Sequence, residues 1–147
     1  MTKEVLISVS GLQTMTEEDE QLEILVPGQY FFRGGSHYLL YEEAIEGTAA
    51  VTKNRIKLRE DYMEVTRKGP VSTHMLFEKG KKNITYYYTP FGSIELGIDA
   101  GLVHITEERD NVLRARVLYA LSMNHEKVAD CEITLRVQPR EQSIRLH

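Results

Sequence analysis

The sequence predicts an all-β fold, an antiparallel meander of about 8 to 10 strands that closes into a barrel. Apolar side chains alternate with period two along most of the chain, and helical spacing is nowhere sustained. Turn-forming residues interrupt the alternation about every 8 to 14 residues. Many strands joined by short links leave unpaired sheet edges, which closure into a barrel removes. A two-sheet sandwich is the alternative.

The turn signals divide the chain into ten segments. Gly34-Gly35 permits positive φ, Gly69-Pro70 adds a fixed φ, and Glu78 to Lys81 form a hairpin around a glycine. Thr89-Pro90-Phe91-Gly92 has the proline and glycine positions of a type I turn. The predicted strands are 3–14, 21–33, 37–46, 48–59, 61–68, 71–79, 83–89, 92–107, 111–123 and 128–138.

The last two strands have the clearest alternation, from Leu113 to Met123 and from Ala129 to Val137. The apolar residues of both strands carry odd numbers, and residues that pair across two strands share a face. A link without a bulge must therefore hold an odd number of residues, three or five. We therefore expect an odd-length turn centred near His125. Gly97 and Gly101 in the preceding strand favour a barrel, because glycine lets a strand bend where the sheet curls.

Length and composition indicate a globular protein. The 147 residues, 41% hydrophobic and 27% charged, suit a single domain over 1–147, with an ordered core at about 3–138 and a tail at 139–147. The net charge of −4 disfavours generic binding to nucleic acid or to membranes. The amino end lacks a signal-type apolar region, and no window approaches the roughly 18 apolar residues of a spanning helix. We expect a cytoplasmic location.

Four segments of the chain form a recognisable series. They are His37-Tyr38-Leu39-Leu40-Tyr41-Glu42-Glu43, Val65-Thr66-Arg67-Lys68-Gly69, Met75-x-Phe77-x-x-Gly80 and Tyr87-x-Thr89-x-Phe91-Gly92-x-x-Glu95-Leu96. In order and spacing, from the first strand to about residue 138, the chain resembles the YwiB-like family of small bacterial proteins. The resemblance implies a calycin-like, lipocalin-type β-barrel in a cytoplasmic bacterial protein. It implies no activity and brings no catalytic residues.

Signatures of catalysis and of metal binding are missing from the sequence. The five histidines have no metal-ligand spacing, and His74 shares strand parity with Ser72 and Glu78 on the solvent side. The single cysteine, Cys131, lies in an apolar alternation that disfavours its thiolate. Neither a Gly-x-Ser-x-Gly elbow nor a Gly-x-Gly-x-x-Gly loop is present. We nominate no catalytic residue, no metal ligand and no cofactor.

One pair of charged residues is predicted inside the barrel. Glu42 and Glu43 point to opposite faces, and Arg67 shares the inward parity of Met63 and Val65. One of the two glutamates should therefore point inward, and since an unpartnered buried charge is costly, we expect it to pair with Arg67. The pair either closes the barrel end or anchors the polar group of a ligand.

The leading hypothesis is a barrel that binds a small, partly apolar molecule. Arg67 and Glu43 are its expected polar contacts, and Tyr41 and Tyr87 its expected walls, because phenols offer both contact area and a hydrogen bond. A filled interior would instead leave an interaction or scaffold module. Oligomeric state stays open.

Single-stranded nucleic acid on the outer face is a further alternative. It would use lysines beside the run Tyr86-Tyr87-Tyr88 and arginines on one outward face, whereas the net charge and nearby glutamates oppose it. The basic residues are Lys79, Lys81, Lys82, Arg114 and Arg116, and the glutamates are Glu107, Glu108, Glu126 and Glu132.

Overall fold

A computed structural model describes residues 3–11, 23–44, 47–69, 72–89 and 91–140. This part of the chain contains ten strands and a short 3-10 turn at Arg109–Asn111. Strands of such alternating sequence expose one face and bury the other. The strands are β1 (Lys3–Ser10), β2 (Glu23–Arg33), β3 (Ser36–Ala44), β4 (Val51–Arg59), β5 (Tyr62–Lys68), β6 (Thr73–Glu78), β7 (Lys82–Thr89), β8 (Gly92–Glu108), β9 (Val112–Met123) and β10 (Glu126–Pro139).

All ten strands belong to one antiparallel sheet with the order β6-β5-β4-β3-β2-β1-β10-β9-β8-β7. Consecutive strands are neighbours except for β6 and β7, and β1 pairs with β10. The first and last strands of this order, β6 and β7, are joined by the tight turn Lys79–Lys81. The sheet therefore curls into a nearly closed barrel, which confirms the predicted all-β fold. The sandwich alternative is wrong.

The barrel has a seam between β6 and β7. No ladder pairing joins these two strands within the described ranges. At the turn, Gly80 N donates to Ala100 O at 2.9 Å, and Ala100 N donates to Lys81 O at 3.3 Å. Beyond it, Asn83 Nδ2 reaches Leu76 O at 3.3 Å. Side-chain and turn contacts thus replace a regular ladder at the place where the sheet meets itself.

The middle of the barrel is filled by apolar side chains. Leu39, Ile56 and Val65 are cross-strand neighbours on β3, β4 and β5, and each is 0% exposed. From the opposite wall Tyr119 meets Phe77, so the two sides are in contact through the centre. Interiors of this kind are close-packed. Free volume has to be sought at the barrel ends.

Of the two glycines expected to bend the sheet, one marks a bulge. The β8–β9 register shifts between Ala100 and Leu102, which makes Gly101 an extra residue in β8. Gly97 instead keeps regular ladder positions, paired with Ile84 and with Ser122. The bend thus occurs at Gly101, where the lack of a side chain allows the ladder to be interrupted.

The turn between β9 and β10 lies where it was predicted, but its expected odd length is wrong. The turn holds only Asn124 and His125, whose φ values of 49° and 74° fit a type I′ hairpin. The register then shifts between Lys127 and Ala129, with Val128 as the extra residue. This bulge restores the inward face of β10, so the alternation survives an even-length loop.

Predicted and observed strand positions agree closely elsewhere. β1 ends at Ser10, short of the predicted residue 14, and residues 12–22, which include the polar run from Thr16 to Gln21, lie outside the described residues. β10 continues to Pro139, the first residue of the predicted tail, and 141–147 also lie outside. Among the described residues, no helix has the length and apolar character needed to cross a bilayer.

Candidate functional site

Four polar side chains come together near the end of the barrel where β3 ends and β4 begins. Tyr41, Asn54 and Arg67 are direct cross-strand neighbours on β3, β4 and β5, and Glu43 follows Tyr41 by two residues. All four share strand parity with the buried core residues, so they face inward. We call these four residues the Glu43 cluster.

A single carboxylate oxygen organises the Glu43 cluster. Glu43 Oε1 lies 3.2 Å from Arg67 Nη2 and accepts a 2.9 Å hydrogen bond from Asn54 Nδ2. The side chains of Arg67 and Glu43 are only 21% and 18% exposed. The ion pair expected from the sequence is therefore present, and it is supported by a neutral amide that the sequence analysis had not singled out.

Asn54 leaves one polar atom without a partner. The residue is 3% exposed, and its Oδ1 is buried with no hydrogen-bond partner among the described residues. Because Nδ2 is committed to Glu43, Oδ1 is the atom free to accept a hydrogen bond. A buried carbonyl oxygen without a donor is uncommon in folded proteins and is often satisfied by a water or a ligand.

The two predicted tyrosine walls have different positions. Tyr41 is buried beside the ion pair, and burial together with the Glu43 carboxylate raises the pKa of its phenol, which stays neutral at ordinary pH. Tyr87 lies on β7, across the seam, where it is half-buried against the core and pairs with Ile94. The structure thus brings Tyr41, Glu43 and Arg67 together, with Tyr87 on a different strand group.

A larger cavity lies at the opposite end of the barrel. Its volume is about 1070 Å³, and it opens where β1, β3 and β9 begin and β2, β8 and β10 end. We call it the His37 cleft. Its apolar and polar lining includes Val5, Leu113, Val137, Tyr30, His37 and Glu107.

A buried histidine forms the polar centre of the His37 cleft. The Tyr30 hydroxyl lies 2.8 Å from His37 Nδ1, and His37 Nε2 lies 3.4 Å from Glu107 Oε1. Burial lowers the pKa of His37, although the Glu107 carboxylate opposes this shift. At pH 7 the imidazole is therefore neutral, and a proton on Nε2, facing Glu107, leaves Nδ1 to accept from Tyr30.

The protein around His37 holds its ring in place. Phe32 packs edge-on against the imidazole, with centroids 5.0 Å apart and planes at 63°. Burial, followed by the Glu107 carboxylate, also raises the pKa of Tyr30, so this phenol keeps its proton. This site was not predicted from the sequence, where His37 was weighed only as a metal ligand. The available signal was parity, since His37 shares the inward face of Leu39 and Tyr41.

A packed layer separates the two polar sites. His37 and Tyr41 are four residues apart on β3, a distance of about 13 Å along a strand. Between them lie Leu39 and its neighbours Ile56 and Val65, all fully buried. The His37 cleft and the Glu43 cluster are thus separate sites at the two ends of a filled barrel.

The arginines that the sequence suggested for nucleic-acid contact are already paired with glutamates. Arg114 Nε lies 2.8 Å from Glu108 Oε1, and Arg116 Nε lies 2.6 Å from Glu132 Oε2. Near the seam, Lys81 Nζ lies 3.6 Å from Glu78. These contacts reduce the local positive charge on that part of the outer wall.

Comparison with known proteins places this fold in a family. Residues 7–135 match the family described as "Domain of unknown function (DUF1934)". The chain belongs to this family. Its structure is similar to the crystal structure of the ywiB protein from Bacillus subtilis, with 21% sequence identity, a TM-score of 0.70, and coverage of 94% of this chain and 92% of that one.

The match to the ywiB protein shows that the DUF1934 fold is shared, and the resemblance to the YwiB-like family expected from the sequence is confirmed. A search of the curated proteins finds no match.

Proposed function

We propose that the protein binds a small, partly apolar molecule in the His37 cleft. The observation that carries this proposal is a cavity of about 1070 Å³ that joins an apolar wall to a buried histidine. Small-molecule sites are typically concave, about 300–1000 Å³ in volume, and mostly apolar with a few placed polar groups. The cleft has about the upper volume of that range and is more polar than a typical site, since Lys3, Glu4, Glu108, Asn111 and Arg140 also line it, around an apolar floor of Val5, Leu113 and Val137. The packed middle of the barrel leaves its free volume here.

The lining residues indicate which part of a ligand would lie where. Val5, Leu113 and Val137 offer apolar contact area for the body of the molecule. Glu107, an exposed carboxylate beside His37, is an acceptor, and the neutral imidazole donates through Nε2. We therefore propose a ligand whose polar end donates a hydrogen bond to Glu107, with its apolar part against the β1 and β10 side chains.

The Glu43 cluster is the second proposed position. Tyr41, Glu43 and Arg67 would contact the polar group of a ligand, and Tyr87 would form a wall across the seam. The buried Asn54 Oδ1 supports this position, because a ligand donor would satisfy it. In the competing interpretation, the ion pair only closes the barrel end and an ordered water occupies the Asn54 site.

A thermal-shift screen of metabolites and fatty acids tests the proposal. A true ligand raises the melting temperature increasingly with concentration, by an amount that corresponds to about 2.7 kcal/mol at 100 times its Kd. Glu107→Gln and His37→Gln should weaken this response, whereas Arg67→Met should retain it. The reverse pattern would assign binding to the Glu43 cluster. A screen in which no compound gives concentration-dependent stabilisation of the parent protein would contradict both positions.

An interaction module is the alternative function, and one surface feature favours it. Ile84, Tyr86 and Tyr88 on the outer face of β7 are exposed, and Phe91 in the following turn is 99% exposed. Exposed apolar groups that lie close together often mark protein contacts.

The cytoplasmic, bacterial setting and the lipocalin-like mode of ligand binding that the family resemblance implies are part of our proposal.

A further inference from the structure

The outer face of β4 carries a basic residue at every second position. These are Lys53, Arg55, Lys57 and Arg59, and β4 contains no acidic residue. Alternate residues of a strand lie about 6.6 Å apart, so the four cations span about 20 Å in a line. We call this row the basic wall. It faces away from the barrel interior and from both proposed ligand positions.

Aromatic rings lie beside the basic wall on three strands. Phe31 on β2 stacks on Tyr38 on β3, with centroids 4.7 Å apart and planes at 7°. Lys57 lies between Tyr38 and Tyr62, with its Nζ 5.7 Å and 5.9 Å from the two ring centroids. The Arg59 guanidinium lies 4.0 Å from the Tyr62 centroid. The rings and the cations thus form one continuous outer surface.

The cations of the basic wall are weakly neutralised compared with those elsewhere. Arg55 Nη2 is 3.9 Å from Glu64 and its side chain is 49% exposed. Glu64 makes its closest contact with His74, at 2.6 Å. By contrast, Arg114 and Arg116 contact their glutamates at 2.8 Å and 2.6 Å. Glu42 lies across the ladder from Lys53 and Glu64 across from Lys57, and Glu60 and Asp61 follow the row in the next turn.

We propose that the basic wall binds single-stranded nucleic acid. A row of regularly spaced cations complements a chain of phosphates, and the partly exposed rings beside it, one of which carries the Arg59 guanidinium on its face, add planar surface for unpaired bases. The rings favour nucleic acid over a purely anionic surface, because stacking requires bases. The net charge of −4 acts against nucleic acid at long range, and the four cations, with no acid on their own strand, counter it locally within a Debye length.

The test measures binding of the intact protein to a fluorescently labelled single strand of about 12 nucleotides, a length in the usual range of such sites. Fluorescence anisotropy between 50 and 200 mM salt, roughly, gives the salt dependence. Each phosphate contact in a single strand contributes a slope of about −0.7, so four contacts predict about −2.8. Lys53→Gln with Arg55→Gln should reduce this slope to about −1.4.

Two further variants separate the proposal from a general charge effect. Arg114→Gln with Arg116→Gln removes the same charge from the opposite wall and should leave both affinity and slope unchanged. Tyr38→Leu should weaken binding by about 5- to 150-fold for a stacked base while keeping the slope. Circular dichroism and thermal melting check that each variant folds.

Three results would overturn the proposal. The first is no binding to the oligonucleotide at low salt. The second is an equal loss in the Arg114/Arg116 variant. The third is binding of inorganic polyphosphate or phosphatidylserine vesicles as tightly as the oligonucleotide, with no effect of Tyr38→Leu, which would show a site for polyanions without base contacts.

Discussion

Phe77 and Tyr119 meet edge to face through the interior of the barrel, with ring centroids 4.9 Å apart and planes at 65°. Phe77 belongs to β6 and Tyr119 to β9, which are not neighbours in the sheet. The contact therefore joins the two ends of the sheet close to the seam, where β6 and β7 share no ladder hydrogen bonds. Ring pairs in this geometry contribute beyond their buried area.

Phe77→Ala is expected to lower the free energy of unfolding by about 3–5 kcal/mol, since Phe77 is fully buried and the substitution leaves a cavity. Urea denaturation followed by circular dichroism measures the change. A double-mutant cycle with Tyr119→Leu should give a coupling energy of about 0.5–1.5 kcal/mol. Tyr86→Ala, on the outer face, is the control and should change stability by less than about 0.5 kcal/mol. A coupling energy near zero would show that the rings act independently.

Acidification is expected to destabilise the protein through His37. Burial lowers its pKa in the folded state below the ordinary 6.5, so the unfolded chain binds the proton more readily. The contribution of neutral His37 to the free energy of unfolding is complete above pH about 6.5 and is lost as the pH falls towards the folded-state pKa. His37→Gln should therefore flatten the decrease in unfolding free energy between about pH 7 and pH 5. An unchanged pH profile would contradict this role.

Any further loss of unfolding free energy below about pH 5 is expected to come from a carboxylate instead of His37. The hydrogen bond from His74 lowers the pKa of Glu64, so this carboxylate contributes stability above its usual 4.5 and loses it as the pH falls further. Glu64→Gln should affect only this lower window, and it serves as the control for the His37 measurement.

Arg67→Met is expected to lower the free energy of unfolding by about 1–3 kcal/mol, because it leaves the Glu43 carboxylate largely buried with a weaker set of partners. Replacing both residues, as Arg67→Met with Glu43→Leu, should recover part of that loss. Denaturant titration measures all three proteins. If the double variant were less stable than Arg67→Met alone, the carboxylate would have a stabilising role apart from the arginine.

Deletion of Val128 is expected to be tolerated. Val128 is the extra residue of the bulge in β10, so its removal leaves Lys127 opposite Ser122 and Ala129 opposite Leu121. Deletion of Thr134 is the matched control, because the shifted register would place Glu132 on an inner position or Leu135 on an outer one. Thermal melting should show a small change for the first and a loss of cooperative unfolding for the second. Similar damage from both deletions would contradict the bulge assignment.

Much of the fold was predictable because each strand has one buried and one exposed face, which produces an alternation of apolar and polar residues in the sequence. The number of strands and their positions follow from this alternation and from turn residues such as Gly34 and Gly80, both at positive φ. The length of the Asn124-His125 turn was not predictable in the same way. A bulge changes the pairing by one residue, and Val128 has no composition that would mark it.

The candidate sites divide along similar lines. Parity placed Arg67 and one of Glu42 and Glu43 inside the barrel, and the cost of buried charge predicted that they would pair; the structure shows that the glutamate is Glu43. The role of Asn54 depends on a cross-strand register that the sequence does not specify. The His37 cleft depends on the way six strand ends diverge around a cavity, which is a property of the curled sheet rather than of any local pattern.

The seam between β6 and β7 also determines where the barrel can change its diameter. Every other neighbouring pair of strands is held by a ladder, so widening the barrel anywhere else would break several backbone hydrogen bonds together. At the seam, the hydrogen bonds of the described residues are those of one hairpin turn and of the Asn83 amide, and interior packing such as that of Phe77 against Tyr119 supplies the rest of the contact. Amide protons of these two strands should exchange earliest, and a molecule too bulky for the resting interior would gain entry by parting them.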